Sequence, residues 1–246
     1  MKYTLENSGF TVQAEYSEAD VKGIFLPLLR RLTELQRRKG GRVLVLLAAP
    51  PAAGKSTLAA LLQLLSHTPG LCPLTAIGMD GFHHRQEYLL SHTAQRDGET
   101  FPMARIKGAP ITYDLPRFLE AVGRVAAGEA CGWPRYDRTL HDPVPDALRV
   151  TGDIVLLEGN YLLLDEPGWR EVRKLADYAI GIEAEPAMLR ARVIARHIAG
   201  GKSPEEAARK ADESDMVNVR ACLERSLPAD LRLRLRADGT FEVMEE

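Results

Sequence analysis

Ala49-Pro50-Pro51-Ala52-Ala53-Gly54-Lys55-Ser56-Thr57 concentrates more chemistry in its spacing than any other stretch of this chain. It follows the apolar run Val43 to Ala48 and precedes Leu58-Ala59-Ala60-Leu61-Leu62. Strand, tight loop and helix in that order is the setting of G-x-x-x-x-G-K-[ST], with Ala49 standing where the first glycine belongs. In such a loop the backbone N–H groups turn inward and cradle phosphate oxygens. Ala52, Ala53, Gly54, Lys55, Ser56 and Thr57 are the expected cradle. Lys55 reaches the β- and γ-phosphates, Ser56 holds Mg²⁺, and Gly54 lets the backbone approach without a Cβ in the way. The plain alternative is a tight strand–helix turn that merely contains Gly-Lys-Ser. The order of elements favours a nucleoside triphosphate site, and the missing glycine is the feature to test.

Two more apolar runs end in carboxylates. Leu74-Thr75-Ala76-Ile77-Gly78-Met79 leads to Asp80, and Asp153-Ile154-Val155-Leu156-Leu157 leads to Glu158. A carboxylate at Asp80 can accept the proton of an attacking hydroxyl, and one at Glu158 can join the shell of a Mg²⁺ ion. Each could equally cap a turn. Beside a phosphate loop the catalytic readings gain, because phosphoryl transfer needs a cradle, a metal and a carboxylate that orients the nucleophile. Arg192 and Arg196 are four residues apart on one helix face, Arg190 is off that face, and Gly200-Gly201 follows. They read either as a lid that closes over phosphates or as a solvated basic face. His83, His84 and His92 lack a carboxylate at a recognisable metal-ligand spacing.

The positioning elements follow from periodicity. Residues 1–16 suggest a hairpin. Ser17 is a helix cap with Asp20 at the third position, followed by Ile24, Leu28, Leu32 and Leu35 at helical spacing. Pro27 must kink that helix or split it in two. The continuous apolar strand at 42–48 implies burial on both faces of a parallel sheet. Helices are expected at about 55–66, 114–127 and 186–199, and a further one opens at Ser203-Pro204-Glu205-Glu206. Tyr178-Ala179-Ile180-Gly181-Ile182 is another strand, and Leu231 to Arg236 turns at Ala237-Asp238-Gly239-Thr240 into Phe241-Glu242-Val243. Residues 81–112 read as irregular and 128–150 as turn-rich. The fold class is α/β: a parallel sheet of the P-loop NTPase type, helices on both faces and a helical lid. Ligands then gather at the carboxyl ends of the strands.

Composition sets bounds. The chain has 246 residues, 45% of them hydrophobic, which suits one large domain with elaborations. A net charge of −2 argues against a general nucleic-acid or membrane-surface binder. Cys72, Cys131 and Cys222 are widely spaced and read as free thiols of a reducing compartment. The N-terminus lacks an apolar leader pattern, so a cytoplasmic protein is expected.

Taken together, these motifs resemble the phosphoribulokinase, uridine kinase and pantothenate kinase superfamily of P-loop kinases. The likeness rests on Ala49 to Thr57, on Met79-Asp80-Gly81-Phe82-His83, on Lys107 to Asp114, on Tyr136-Asp137 with His141, and on Glu158-Gly159. It covers about residues 41–236 and is most similar to a bacterial branch labelled nucleoside/nucleotide kinase-like or fructose-transport-system kinase. The resemblance implies ATP and Mg²⁺, with Asp80 as general base. It also implies an acceptor pocket of His83, Tyr136, Asp137, Arg138 and His141, and a lid helix bearing Arg190, Arg192 and Arg196, of which Arg192 and Arg196 are expected to close over the phosphates. The expected layout is an N-terminal extension, 1–40, on a kinase domain, 41–246, with an acceptor insertion at about 81–150 and a lid at about 186–225. Expected partners are ATP and a small-molecule acceptor, without nucleic acid or membrane; a homodimer is left open. Pro143 and Pro145 stand where the uridine kinase pattern carries an arginine beyond the histidine.

Two other readings compete. A nucleotide-dependent switch would carry an N-K-x-D guanine reader, for which the chain offers only Arg209-Lys210-Ala211-Asp212. Ala49 motivates a degenerate nucleotide-binding protein that transfers nothing.

Overall fold

Val43–Ala48 forms a fully buried strand, β3, because every side chain of its apolar run meets a helix layer on one face or the other. The computed structural model describes residues 1–7, 10–96 and 98–245. Alternation along β3 divides its side chains between two cores. Val43, Val45 and Leu47 pack with Leu28 and Leu32 of the helix spanning 18–39 and with Leu58 and Leu62 of the phosphate-loop helix, Lys55–Leu65. Leu44 and Leu46 pack with Phe118 and Val122 of the helix Leu115–Ala126 on the opposite face.

The chain begins with an antiparallel hairpin, β1 (Lys2–Asn7) and β2 (Phe10–Glu15). The central sheet adds β4 (Leu74–Gly78), β9 (Ile154–Gly159), β10 (Tyr178–Ala184), β11 (Leu231–Leu235) and β12 (Phe241–Val243). Its strand order is β12-β11-β10-β3-β9-β4, parallel except for the edge strand β12, which turns back on β11. The carboxyl ends of β3, β9 and β4 are therefore neighbours.

Pro27 neither breaks nor splits its helix. The helix runs continuously from 18 to 39, and a π turn, Val21–Phe25, lies just before the proline. The wider turn absorbs the register change where Pro27 offers no N–H. Gly40, left-handed at φ 68°, ends it.

The segment expected to be turn-rich is instead an antiparallel hairpin of β7 (Cys131–Asp137) and β8 (Asp142–Val150). Pro134, Pro143 and Pro145 interrupt the alternation that marks a strand in sequence. A two-stranded ribbon tolerates them because each strand has a free edge. Residues 81–112 hold 3-10 turns, a short helix, Gln86–Ser91, and a small hairpin, β5 (Thr93–Arg96) and β6 (Glu99–Pro102). After β10 come the helix Pro186–Ala199 and a helical stretch from 204 to 224 opened by the Ser203/Glu206 capping box.

Candidate active site

The loop after β3 delivers the phosphate-loop helix with its first N–H groups uncapped by any side chain. Those donors and the positive end of the helix dipole make an anion site. Gly54 takes φ 81° at the helix entrance. Ala49 does not occupy the left-handed region: among the described residues only Ala52, His141 and Asp146 do so without being glycine. The Ala49 N–H donates to the Gly159 carbonyl at 3.2 Å, as an extension of the strand ladder. The strained residue is Ala52, at φ 65°, a conformation that costs roughly 1–2 kcal/mol in an alanine.

Glu158 lies in register between Leu47 of β3 and Gly78 of β4. Its Oε1 accepts the Ser56 hydroxyl at 2.7 Å. Asp80 follows β4 in the 3-10 turn Met79–Phe82, and its Oδ1 accepts the Tyr113 hydroxyl at 3.2 Å. The two carboxylates are electrostatically coupled and are driven apart. Burial pushes Glu158 above the usual carboxylate range, and Asp80 adds to this, against Lys55 and Ser56. For Asp80 burial also acts upward, but His83, Lys55, Arg138 and the Tyr113 hydroxyl together hold it below that range. Burial lowers His83, so at neutral pH Lys55 and Arg138 are the cations that act on Asp80.

Two glycines explain how the strand ends pack so closely. A Cβ on Gly81 would lie 2.2 Å from the Pro134 carbonyl oxygen, and one on Gly159 would lie 2.3 Å from Met79 Sδ. The first contact seats the β7–β8 hairpin against the Asp80 turn. Trp133, fully buried, donates its indole N–H to the Gly78 carbonyl at 2.8 Å and fixes the same junction.

Two clefts meet here. One, of about 430 Å³, runs past the phosphate loop toward the helix Pro186–Ala199. The other, of about 370 Å³, lies between β4, the phosphate-loop helix and the β7–β8 hairpin. Ser56, Asp80 and Arg138 line both. A third cleft, of about 300 Å³, opens beside Pro50, Leu163, Cys222 and Ala229. Asn160 lines it and the phosphate cleft, and its buried Oδ1 is the one buried side-chain polar atom without a partner among the described residues.

The structure brings together most of the residues marked in the sequence. Ala52, Gly54, Lys55, Ser56 and Thr57 line the phosphate cleft, whereas Ala53 is buried in the core beneath it. Arg192 and Arg196 face the same cleft. Arg196 donates to Asp215 at 3.2 Å, and His197 shares that carboxylate at 2.8 Å. Arg190 turns away and makes a two-point pair with Asp212, at 2.7 and 2.8 Å. His83 lines the phosphate cleft and packs at a 38° tilt against Tyr113, their ring centroids 3.9 Å apart. Tyr136 and Arg138 line the cleft of about 370 Å³. His84 and His92 stack on Tyr88, at 4.1 and 3.7 Å.

Two marked residues are not brought in. Asp137 accepts the Thr139 and Leu140 N–H groups at 2.8 and 3.0 Å, so it caps the β7–β8 turn. His141 takes φ 56° in that turn with an exposed side chain, and among the described residues only its carbonyl is engaged, by Lys107 at 2.9 Å. Arg135, Arg149, Tyr113, Asn160 and Glu6 enter the clefts without having been marked. Tyr113 was visible only as part of the Lys107 to Asp114 segment. The others carry no motif.

Strand-end geometry of this kind defines a P-loop nucleotide-binding protein. No protein-family model matches the chain. It is 37% identical to the uncharacterized protein YggC of Escherichia coli over 98% of each chain. It is 33% identical to a Schizosaccharomyces pombe protein named as a candidate uridine kinase, over 87% of this chain and 92% of that one. The crystal structure of a candidate fructose transport system kinase from Silicibacter sp. superposes with a TM-score of 0.73 at 33% identity, over 83% of this chain and 98% of that one. The chain belongs to the P-loop kinase superfamily of phosphoribulokinase, uridine kinase and pantothenate kinase.

Proposed function

We propose that this chain transfers the γ-phosphoryl group of ATP to a hydroxyl of a small polar metabolite: a nucleoside, a sugar or sugar phosphate, or a pantothenate-like alcohol. The observation that carries the reading is the shared wall of Ser56, Asp80 and Arg138 between the phosphate cleft and a second cleft able to take an acceptor. The loop N–H groups and Lys55 hold the phosphates, and Arg192, without a carboxylate partner among the described residues, closes over them with Arg196. Asp80, held ionised, accepts the hydroxyl proton. The Tyr113 hydroxyl fixes its orientation. Tyr136 flanks the acceptor. The apolar cleft beside Leu163 and Ala229 suits the nucleobase, with Asn160 Oδ1 free to accept a hydrogen bond from the nucleotide.

The oxygen donors Ser56 Oγ and Glu158 Oε1, 2.7 Å apart, fit a hard divalent cation. Mg²⁺ held there would neutralise charge on the β- and γ-phosphates. The switch reading has little support, since Asp212, the only candidate for the guanine-reading carboxylate, is engaged by Arg190.

The test is Asp80→Asn. The variant keeps ATP binding, and its ADP release with the true acceptor falls about 10²–10⁴-fold. A wild-type rate removes Asp80 from the role of base.

A further inference from the structure

The acceptor-side cleft sets three arginines among three carboxylates, those of Glu6, Asp80 and Glu158. Arg135, Arg138 and Arg149 all line it. Their guanidinium groups have no hydrogen-bond or ion-pair partner among the described residues. Arg190, Arg196, Arg225 and Arg232, by contrast, each sit on a carboxylate. Arg138 also faces the phosphate cleft, so the transferring phosphoryl group accounts for it. Arg135 and Arg149 line only the acceptor side.

The hairpin is built to present them. Strand alternation would put Trp133 and Arg135 on the same face. A register shift between them, at Pro134, lets Trp133 enter the core while Arg135 lines the cleft. Arg149 comes from the opposite strand, paired in register with Gly132. Across the cleft the groups change character. Gln63 Oε1 accepts the Ala76 N–H at 2.7 Å, which leaves the Gln63 amide N–H groups as donors. Glu6, from β1, adds an acceptor for hydroxyls.

We propose that the phosphoryl acceptor is a hydroxylated small-molecule anion, a hydroxy acid or a phosphorylated polyol, whose anionic group is held by Arg135 and Arg149 while its hydroxyl meets Asp80. The proposal rests on the kinase reading of this site and narrows it. Guanidinium forks match carboxylate and phosphate oxygens in two-point geometry. Arg135 is half-buried and Arg149 exposed at the cleft mouth, so a neutral acceptor would gain nothing from either guanidinium, whereas an anionic one would gain charge-assisted hydrogen bonds from both. In the reaction the acceptor oxygen bonds to the γ-phosphorus and the bond from that phosphorus to the β–γ bridging oxygen breaks. ADP leaves with that electron pair, and the hydroxyl proton passes to Asp80.

The probes are D-ribose, D-ribonate and D-ribose 5-phosphate, with uridine as a neutral nucleoside. Thermal shift is measured with the phosphate cradle filled by saturating magnesium-ADP, and ADP release is measured separately with magnesium-ATP. At least one of the two anions is expected to stabilise the protein, while ribose and uridine do not. Arg135→Gln and Arg149→Gln each weaken that response about 10- to 100-fold in concentration. The shift produced by magnesium-ADP serves as the folding control. Equal stabilisation by ribose or uridine, an anion response that survives both substitutions, or no response to either anion overturns the proposal. Turnover confined to neutral acceptors overturns it while leaving the kinase reading intact. Anion binding lost in the arginine variants, with no ADP release from any acceptor, supports the anion site and counts against the kinase reading.

Discussion

Glu158 is a carboxylate that its surroundings make costly to ionise. It sits between two strands, with the carboxylate of Asp80 acting on it. Its raised pKa means that the native state resists ionisation more than the unfolded chain does. The penalty is absent below the unfolded carboxylate pKa, grows as pH rises through that value, and is complete above the native one. Glu158→Gln should therefore stabilise the metal-free protein at pH 8, raising Tm by about 2–4 °C for each kcal/mol regained, because Gln keeps an oxygen for Ser56. Apparent magnesium affinity in turnover should fall about 10–100-fold. Asp80 has the opposite sign: its stabilising contribution is present above the unfolded pKa and is lost as pH falls through the depressed native value. With magnesium-ATP bound, the cation favours ionised Glu158, so the acid limb of kcat/KM for the acceptor should follow Asp80 and lie at or below the ordinary carboxylate range; a limb above that range would contradict Asp80 as the base. Ala49→Gly is a second residue-scale test. With no positive φ to relieve, glycine should cost about 0.5–1 kcal/mol of stability and bring no tighter ATP binding. A marked gain in affinity would restore the first glycine of the motif to importance.

Among the elements, the β7–β8 hairpin forms one wall of the proposed acceptor cleft, and Gly81 decides where the hairpin sits. With a Cβ 2.2 Å from the Pro134 carbonyl, Gly81→Ala must push the hairpin off the Asp80 turn or distort the turn itself. Overpacking of this kind costs about 1–3 kcal/mol. The displacement should lower kcat/KM for the acceptor about 10²-fold, since reacting groups tolerate little misplacement. ATP affinity, set on the other side of Asp80, should stay near wild type. Steady-state kinetics with a separate nucleotide titration would show this, and equal losses on both substrates would argue against the hairpin as an acceptor element. The hairpin itself was hidden in the sequence because its prolines erase period-two alternation, whereas the helix at Pro186–Ala199 was expected at about 186–199, with Gly200-Gly201 as its stop.

On the scale of the whole molecule, the first and last segments close on each other. Tyr16, Phe25 and Phe241 form a ring cluster with centroids 5.5–6.5 Å apart. Asp20 Oδ2 accepts the Phe241 N–H at 3.2 Å. Phe25 is fully buried in the same core as β3, so Phe25→Ala should cost about 3–5 kcal/mol. Trp133 and Trp169 lie in the core on the opposite face of the sheet. If the sheet couples both faces, tryptophan fluorescence and circular dichroism should report one shared, downshifted unfolding transition. Separate transitions would mean that the N-terminal segment unfolds on its own.

The sequence by itself determined the parallel sheet, the phosphate loop with its helix, and the carboxylates at two strand ends. Those follow from local rules: uninterrupted apolar runs, Gly-Lys-Ser before a helical period, capping residues and glycine stops. Only the tertiary structure decided which strand ends are neighbours, that Ala52 rather than Ala49 carries the backbone strain, and that Asp137 caps a turn instead of facing the cleft. It also decided that Arg135, Arg149 and Glu6 share a cleft. Their convergence depends on close approach between segments far apart in the chain, made at Gly81 against Pro134 and at Gly159 against Met79. Such contacts leave no periodicity along a single chain.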